Sequence, residues 1–572
     1  MKLLPCLALA GLTFAQNSYL PADFASLANS DHLAALVERY SEDRGNLSRF
    51  HNQVWSKNRI TQLGQFLKAW QNGLGTLPFD KLSQNGKVDY LLLKNKLAWE
   101  LDKLAQIDAQ REEILSLVPF LEPVVSLQEA RQRVEPLDAA KAAGTLVEID
   151  KQIAALEEKA PKLNPAKTVA NRAAAVTSEL ESELTEWFNF YNEYDPSFTW
   201  WAGEPFKRLR KRLPAYSKLL REKLAGVKPD DKDTIIGDPI GRDALLKELS
   251  YELVAYTPEQ LVEIANREFA WCEREMKRAS QELGFGDDWK RALEHVKNLY
   301  VPPGQQTALV RDLALEAIGY MEKNDLVTVP ALAKDTWRMR MMSPERQRIN
   351  PFFTGGEVIS VSYPTSGMSH EEKMMSMRGN NIHFSRATVF HELIPGHHLQ
   401  SFMTRRYMPY REAFRTPFWG EGWALYWEMV LWDRGFAKSP ENRVGMLFWR
   451  MHRCARIIFS LSFHLGKMTA ADCVGYLVER VGHERENAAG EVRRSFESTY
   501  APLYQAAYML GALQFRTLRK ELVDSSRMSE RAFHDAVLHL NSIPVEMVRA
   551  TLTGLTLQPA FTPNWEFYPG IE

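Results

Sequence analysis

Over most of this chain apolar residues recur every three to four positions, the spacing that lines one face of an α-helix. Residues 137–160 (LDAAKAAGTLVEIDKQIAALEEKA) place leucine, isoleucine and valine on one stripe and mixed charges on the other. Residues 257–286 add end signals, with Thr257 as N-cap, Pro258 at the first helical position, and Gly284 and Gly286 as stops. Residues 61–104, 168–194 and 305–322 follow the same period. The proline-bearing stretches 226–241 and 344–357 interrupt it and are expected to be loops. Alternation with period two is rare. Its clearest case is residues 357–364 (EVISVSYP), β-branched and bounded by Gly355-Gly356 and Pro364. The pattern predicts a mainly α protein with one short sheet, and that sheet precedes a histidine-rich stretch. Residues 187–201 (WFNFYNEYDPSFTWW) are dense in aromatics, which suits core packing or the wall of a cleft.

Composition narrows the class. A chain of 572 residues with 45% apolar and 25% charged residues is that of a soluble globular protein with one large catalytic unit or a few domains. A net charge of -1 argues against a nucleic-acid or membrane-surface role, which needs a field of one sign. The first residues, MKLLPCLALAGLTFAQNS, read as a signal peptide over 1–15, cleaved after Ala15. Cys6 lies too early in that segment to be a lipoprotein anchor. The apolar run is too short to span a membrane and no later one is long enough, so the mature protein is expected to be exported, periplasmic or extracellular, without stable membrane insertion. Cys272, Cys454 and Cys473 remain; three scattered cysteines are no disulfide framework. The expected organisation is a helical part over 16–340 and a metal-binding catalytic part over 341–572.

The candidate chemistry lies in FHELIPGHHLQ, residues 390–400. It begins as the zinc signature H-E-x-x-H, in which two histidines one turn apart hold the ion and the glutamate acts as base. Pro395 stands where the second histidine belongs. His398 shares the face of His391 on an ideal helix but lies about 10.5 Å along it, and His397 lies about 120° off that face. Pro395 removes a helix hydrogen bond and Gly396 frees the backbone, so a bulge there would bring His397 back. A second stretch, WGEGWALYWEMV (residues 419–430), reads as a buried helix carrying Glu421 and Glu428, acids that are rarely buried without a partner or a metal.

HELIPGHHLQ, EGWALYWE and the later EVRRSFESTYAPLYQAAYMLG resemble the bacterial domain of unknown function 885 family, whose pattern is HExxPGHHxQ, then EGWAxYxE, then E-V-x-R and Q-A-x-x-Y-x-x-G. Pro502-Leu503-Tyr504 stand where that family often has Pro-Gly before the Gln-Ala. More distantly, the family resembles the helical glutamate-zincin metallopeptidases of the neurolysin and angiotensin-converting-enzyme type, which carry their third ligand on a second helix; Glu421 lies 24 positions after His397. The resemblance implies a large helical shell around a deep cleft, with a short sheet beside the metal helix. It implies Zn2+ held by His391, His397 and Glu421, with Glu392 as base and Tyr508 as donor to the oxyanion. His398 is expected to contact substrate, support the site or replace His397, and Arg494 or Arg493 to hold a substrate carboxylate. The strand over 358–363 is expected to pair with an extended peptide. The activity implied is hydrolysis of short peptides; the rival readings are a zinc hydrolase of a non-peptide amide or ester and an inactive helical binding protein.

Overall fold

The computed structural model describes residues 19–229, 234–349, 352–497 and 500–571. The segment read as a signal peptide lies outside them. The described residues form 24 α-helices and one two-stranded sheet. The expected mainly α class is the observed one, and none of these helices is long and apolar enough to cross a membrane.

Local signals set many helix ends. Residues 137–160 become helix Ala139–Lys159, whose cap Asp138 accepts from the Lys141 amide. Residues 257–286 become helix Pro258–Glu282, opened by reciprocal hydrogen bonds between Thr257 and Gln260. The period over 61–104 is not one helix but two, Lys57–Leu74 and Gln84–Ile114. Gly75 and Pro78 separate them, and Ser83 caps the second.

The strand foreseen over 358–363 forms at Val358–Val361 and pairs in parallel with Arg338–Met341. Its partner was not legible, because four alternating Arg and Met residues are mostly exposed and only Met339 packs against a core. On the opposite edge Thr354 pairs antiparallel with Ser360, so the chain itself takes part of the edge expected to receive a peptide.

Three cores hold the described residues together. The largest joins Leu36 and Trp70 near the N-terminus to Trp423, Trp427, Phe515 and Trp565. A second, within residues 114–220, contains Trp187, Phe198 and Tyr216. The aromatic stretch divides there: Trp187, Phe188 and Phe198 pack this second core, while Phe190, Tyr194, Trp200 and Trp201 face solvent. The stretch is therefore core and outer surface rather than a wall at the histidines. A third, small core sets Ile359 and Val361 of the sheet against Val389 and Leu393, so the sheet braces the helix that ends in His391-Glu392. Cys272, Cys454 and Cys473 are buried free thiols.

Candidate metal centre

The expected bulge is a complete break. Helix Ile382–Glu392, capped by Asn381, stops; the chain turns through a cis Ile394–Pro395 bond; and helix His397–Thr404 begins. Proline has no amide to continue the ladder, and its ring collides with the preceding turn. Gly396 donates to the Phe390 carbonyl at 2.9 Å, and a Cβ on it would lie 1.8 Å from the His391 carbonyl oxygen. Only glycine fits there. The Pro395 carbonyl, left outside either helix, accepts from the Trp423 indole at 2.8 Å.

This turn swings His397 against His391, with ring centroids 4.9 Å apart and planes nearly perpendicular. The third member comes from helix Pro417–Asp433, started by Thr416 and Pro417. Among the described residues, His391, His397 and Glu421 offer ligand atoms that all lie within 4.8 Å of one another. Glu421 Oε2 is 3.2 Å from His397 Nε2 and 3.8 Å from His391 Nε2. Ligand atoms around a tetrahedral zinc with bonds of about 2.1 Å stand about 3.4 Å apart, so these distances bracket what the ion requires. Glu421 Oε2 is buried without a hydrogen-bond partner, as a ligand atom awaiting a cation would be.

A further ring of contacts fixes which histidine nitrogens face inward. His391 Nδ1 lies 2.7 Å from Glu428 Oε1, and a carboxylate only accepts, so Nδ1 carries the proton and Nε2 is free to ligate. His397 Nδ1 lies 2.9 Å from Gln400 Oε1; the Gln400 amide nitrogen donates to the Gly420 carbonyl, which fixes the amide's orientation. Tyr504 donates to Glu421 Oε1 at 2.6 Å. Orienting partners of this kind are typical of metal sites. Sequence reasoning singled out Glu428 as a buried acid without giving it a role, and it missed Gln400 and Tyr504. The signals were the glutamine closing HHxQ and a tyrosine one helical turn before Tyr508.

Helix Tyr504–Arg519 approaches helix Pro417–Asp433 so closely that a Cβ on Gly511 would lie 1.9 Å from the Phe418 carbonyl oxygen and 2.9 Å from the Gly422 Cα. The contact brings Tyr508 over His391, with centroids 6.4 Å apart and planes 14° from parallel. Burial, then the Glu421 charge, push the Tyr508 phenol well above its ordinary value, so it remains a donor. Its hydroxyl makes no hydrogen bond among the described residues. Glu392 ends its helix with its carboxylate packed over Gly355, where a Cβ would come 2.4 Å from Oε2.

The electrostatics suit a cation. Burial lowers His397, but the adjacent Glu421 carboxylate outweighs it and carries the imidazole up to about 9. Burial raises Glu421, yet the two histidines hold it well below its ordinary value. Behind Tyr508, Glu491 accepts from Arg456 at 2.7 Å and from Gln505 at 2.8 Å and pairs with Arg494 at 2.5 Å. Burial alone would raise Glu491; Arg456 and Arg494 bring it down to about 2.

Other expected residues stand elsewhere. His398 points away from the cluster, with Nε2 2.8 Å from the Ala333 carbonyl, a contact that ties two helices together. Arg494 is held by Glu491, and Arg493 by Glu497 and the Thr234 carbonyl. A cavity of about 550 Å³ is lined by Phe384, two turns before His391 on the same helix, with Phe352, Phe448 and His483.

Comparison with known proteins gives a family and a fold. The family model described as bacterial protein of unknown function (DUF885) matches residues 43–552. No curated protein matches the chain. A solved structure of a candidate lipoprotein of unknown function from Shewanella oneidensis aligns with 91% of this chain and 99% of its own, at 18% identity and a TM-score of 0.65. A candidate lipoprotein from Colwellia psychrerythraea aligns with 93% of this chain and 98% of its own, at 16% identity and a TM-score of 0.59. At these identities the likeness is one of fold.

Proposed function

The chain belongs to the DUF885 family of bacterial proteins of unknown function, and on that footing we propose that it is an exported zinc metallopeptidase that hydrolyses short peptides. The observation that carries this reading is the convergence of His391 Nε2, His397 Nε2 and Glu421 Oε2, each positioned by a partner outside the cluster. Two histidines, one carboxylate and an adjoining glutamate are the donor set of a hydrolytic zinc site, whereas a structural zinc takes four protein ligands and needs no base.

Bound there, zinc would supply Lewis acidity toward a water and a substrate carbonyl. The Glu392 carboxylate takes a proton from the attacking water and hands it to the leaving amine. The Tyr508 hydroxyl, kept protonated by burial, donates to the carbonyl oxygen as negative charge grows on it. Glu428 and Gln400 hold the two imidazoles in the tautomer that presents Nε2. The helical enclosure of the neurolysin type belongs to this proposal. It would admit short peptides and exclude folded proteins.

Elemental analysis tests the reading. The mature protein is expected to hold about one zinc per chain. His397→Ala should lose it and His398→Ala should keep it. Glu392→Gln should retain the metal while peptide hydrolysis falls about 10²- to 10⁴-fold. A wild-type chain that takes up no zinc overturns the proposal, and a fully active Glu392→Gln protein overturns the choice of base. Hydrolysis of amides or esters but of no peptide would leave the metal chemistry and replace the substrate class.

A further inference from the structure

Helix Pro440–His464 sends two guanidiniums, Arg453 and Arg456, and helix Arg485–Phe496 a third, Arg494, toward the Tyr508 side of the candidate centre. One carboxylate, Glu491, serves Arg456 and Arg494. Arg453 is left over. It is 6% exposed and makes no ion pair or hydrogen bond among the described residues, and its Nε is a buried donor without an acceptor. Its cationic face is covered instead by aromatic rings, Trp449 at 5.3 Å and Tyr508 at 4.9 Å. Buried guanidiniums without a counter-ion are costly, and stacking offsets only part of that cost. Rings on the faces leave the planar edge, with its fork of N–H groups, as the part available to a ligand, and that fork matches a carboxylate.

Charge around the centre points the same way. Glu421, Glu428 and Glu491 act on the guanidiniums and Glu392 on the two histidines beside them, and on the reading above the centre also holds a divalent ion. That leaves one positive charge, which a monoanion would neutralise. Arg453 Cζ is 4.9 Å from the Tyr508 ring, and that ring is 6.4 Å from His391. The clamp is thus separated from the metal ligand by at most about three residues of extended peptide.

We propose that Arg453 binds a carboxylate of the substrate, most directly the free C-terminus of a short peptide, so that cleavage removes a piece of one to three residues from that end. This deepens the peptidase reading and rests on it. Arg494, one-third exposed, lies on the solvent side of the same group.

Calorimetry on the zinc-supplied Glu392→Gln protein, which binds without turnover, tests it. The probes are the tripeptide Gly-Ala-Phe, its C-terminal amide, and an amidated tripeptide carrying a glutamate side chain. The free acid is expected to bind at least tenfold more tightly than its amide. Adding Arg453→Met should remove that preference, and Arg453→Lys should restore part of it. A glutamate-bearing amide that matches the acid would keep the clamp and assign it to a side-chain carboxylate. Equal binding of acid and amide to the Glu392→Gln protein overturns the clamp and leaves the peptidase reading standing; this comparison needs no change at Arg453. Failure of all three probes to bind a zinc-loaded protein overturns both.

Discussion

His391 and His397 each use one nitrogen to reach an acceptor, Glu428 or Gln400, and the remaining nitrogens then face Glu421 Oε2 at 3.8 and 3.2 Å. The site is decided at this scale, and the sequence showed part of it. Residue type and spacing brought His391, Glu392 and Glu421 forward. They left His397 and His398 as rivals, because neighbouring residues in a motif broken by proline have no predictable direction. Glu428→Ala isolates the contribution of an orienting contact. It removes the acceptor from His391 Nδ1 without touching a ligand, so zinc affinity should fall about 10- to 100-fold in competition with a chelator while the helix content stays unchanged. Affinity equal to that of the wild type would show that Glu428 does not orient the ring.

At the scale of elements, the break at Pro395 and the close helix pair do what one continuous helix cannot. The turn between Glu392 and His397 places two histidines that are out of phase by helix geometry onto one point. Trp423, two residues after Glu421, secures that turn from the neighbouring helix. The segment EGW thus combines a candidate ligand, a close-approach glycine and a clamp. The approach itself is testable through Gly511. A methyl there meets the Phe418 carbonyl oxygen at 1.9 Å, and the helices must part. Gly511→Ala should cost about 1–3 kcal/mol of stability and also weaken zinc binding, since Tyr504 and Glu421 ride on the two helices concerned. Thermal unfolding with chelator titration reads both; an unchanged melting temperature would mean the pair relaxes freely. The strand was legible from its alternation, but its partner Arg338–Met341 was not, since a strand of four residues with only Met339 packed inward leaves too short a pattern.

Across the whole molecule, stability rests on a core that draws on both ends of the chain. Within it His534 is fully buried; Nδ1 donates to the Leu326 carbonyl and Nε2 accepts from Tyr426, on the helix that carries Glu421. Burial pushes this imidazole down to about 4. An unfolded histidine takes up its proton near pH 6.5. Between those values the unfolded chain binds a proton that the folded chain refuses, so the folded state loses stability as pH falls from about 6.5 to about 4. Melting temperatures of wild type and His534→Gln, compared at pH 7 and pH 5, should show the wild-type advantage shrinking in acid. A pH-independent difference would place a charged histidine in the folded core.

By itself the sequence determined the helical class, several of the longer helices, one buried strand, and the residue types of a candidate metal site, because each is written in local periodicity or in a short motif, whereas short elements such as helix Pro344–Ile349, expected as a loop, carry too few residues for a period. It did not determine the direction of His397, the partners Glu428, Gln400 and Tyr504, or the unpaired state of Arg453. Those depend on where residues far apart in the chain come to rest once the helices pack, and packing of that kind leaves no local period to read. Tertiary structure alone decided that three candidate ligand atoms come within 4.8 Å of one another, and that among the described residues one guanidinium beside them has no carboxylate of its own.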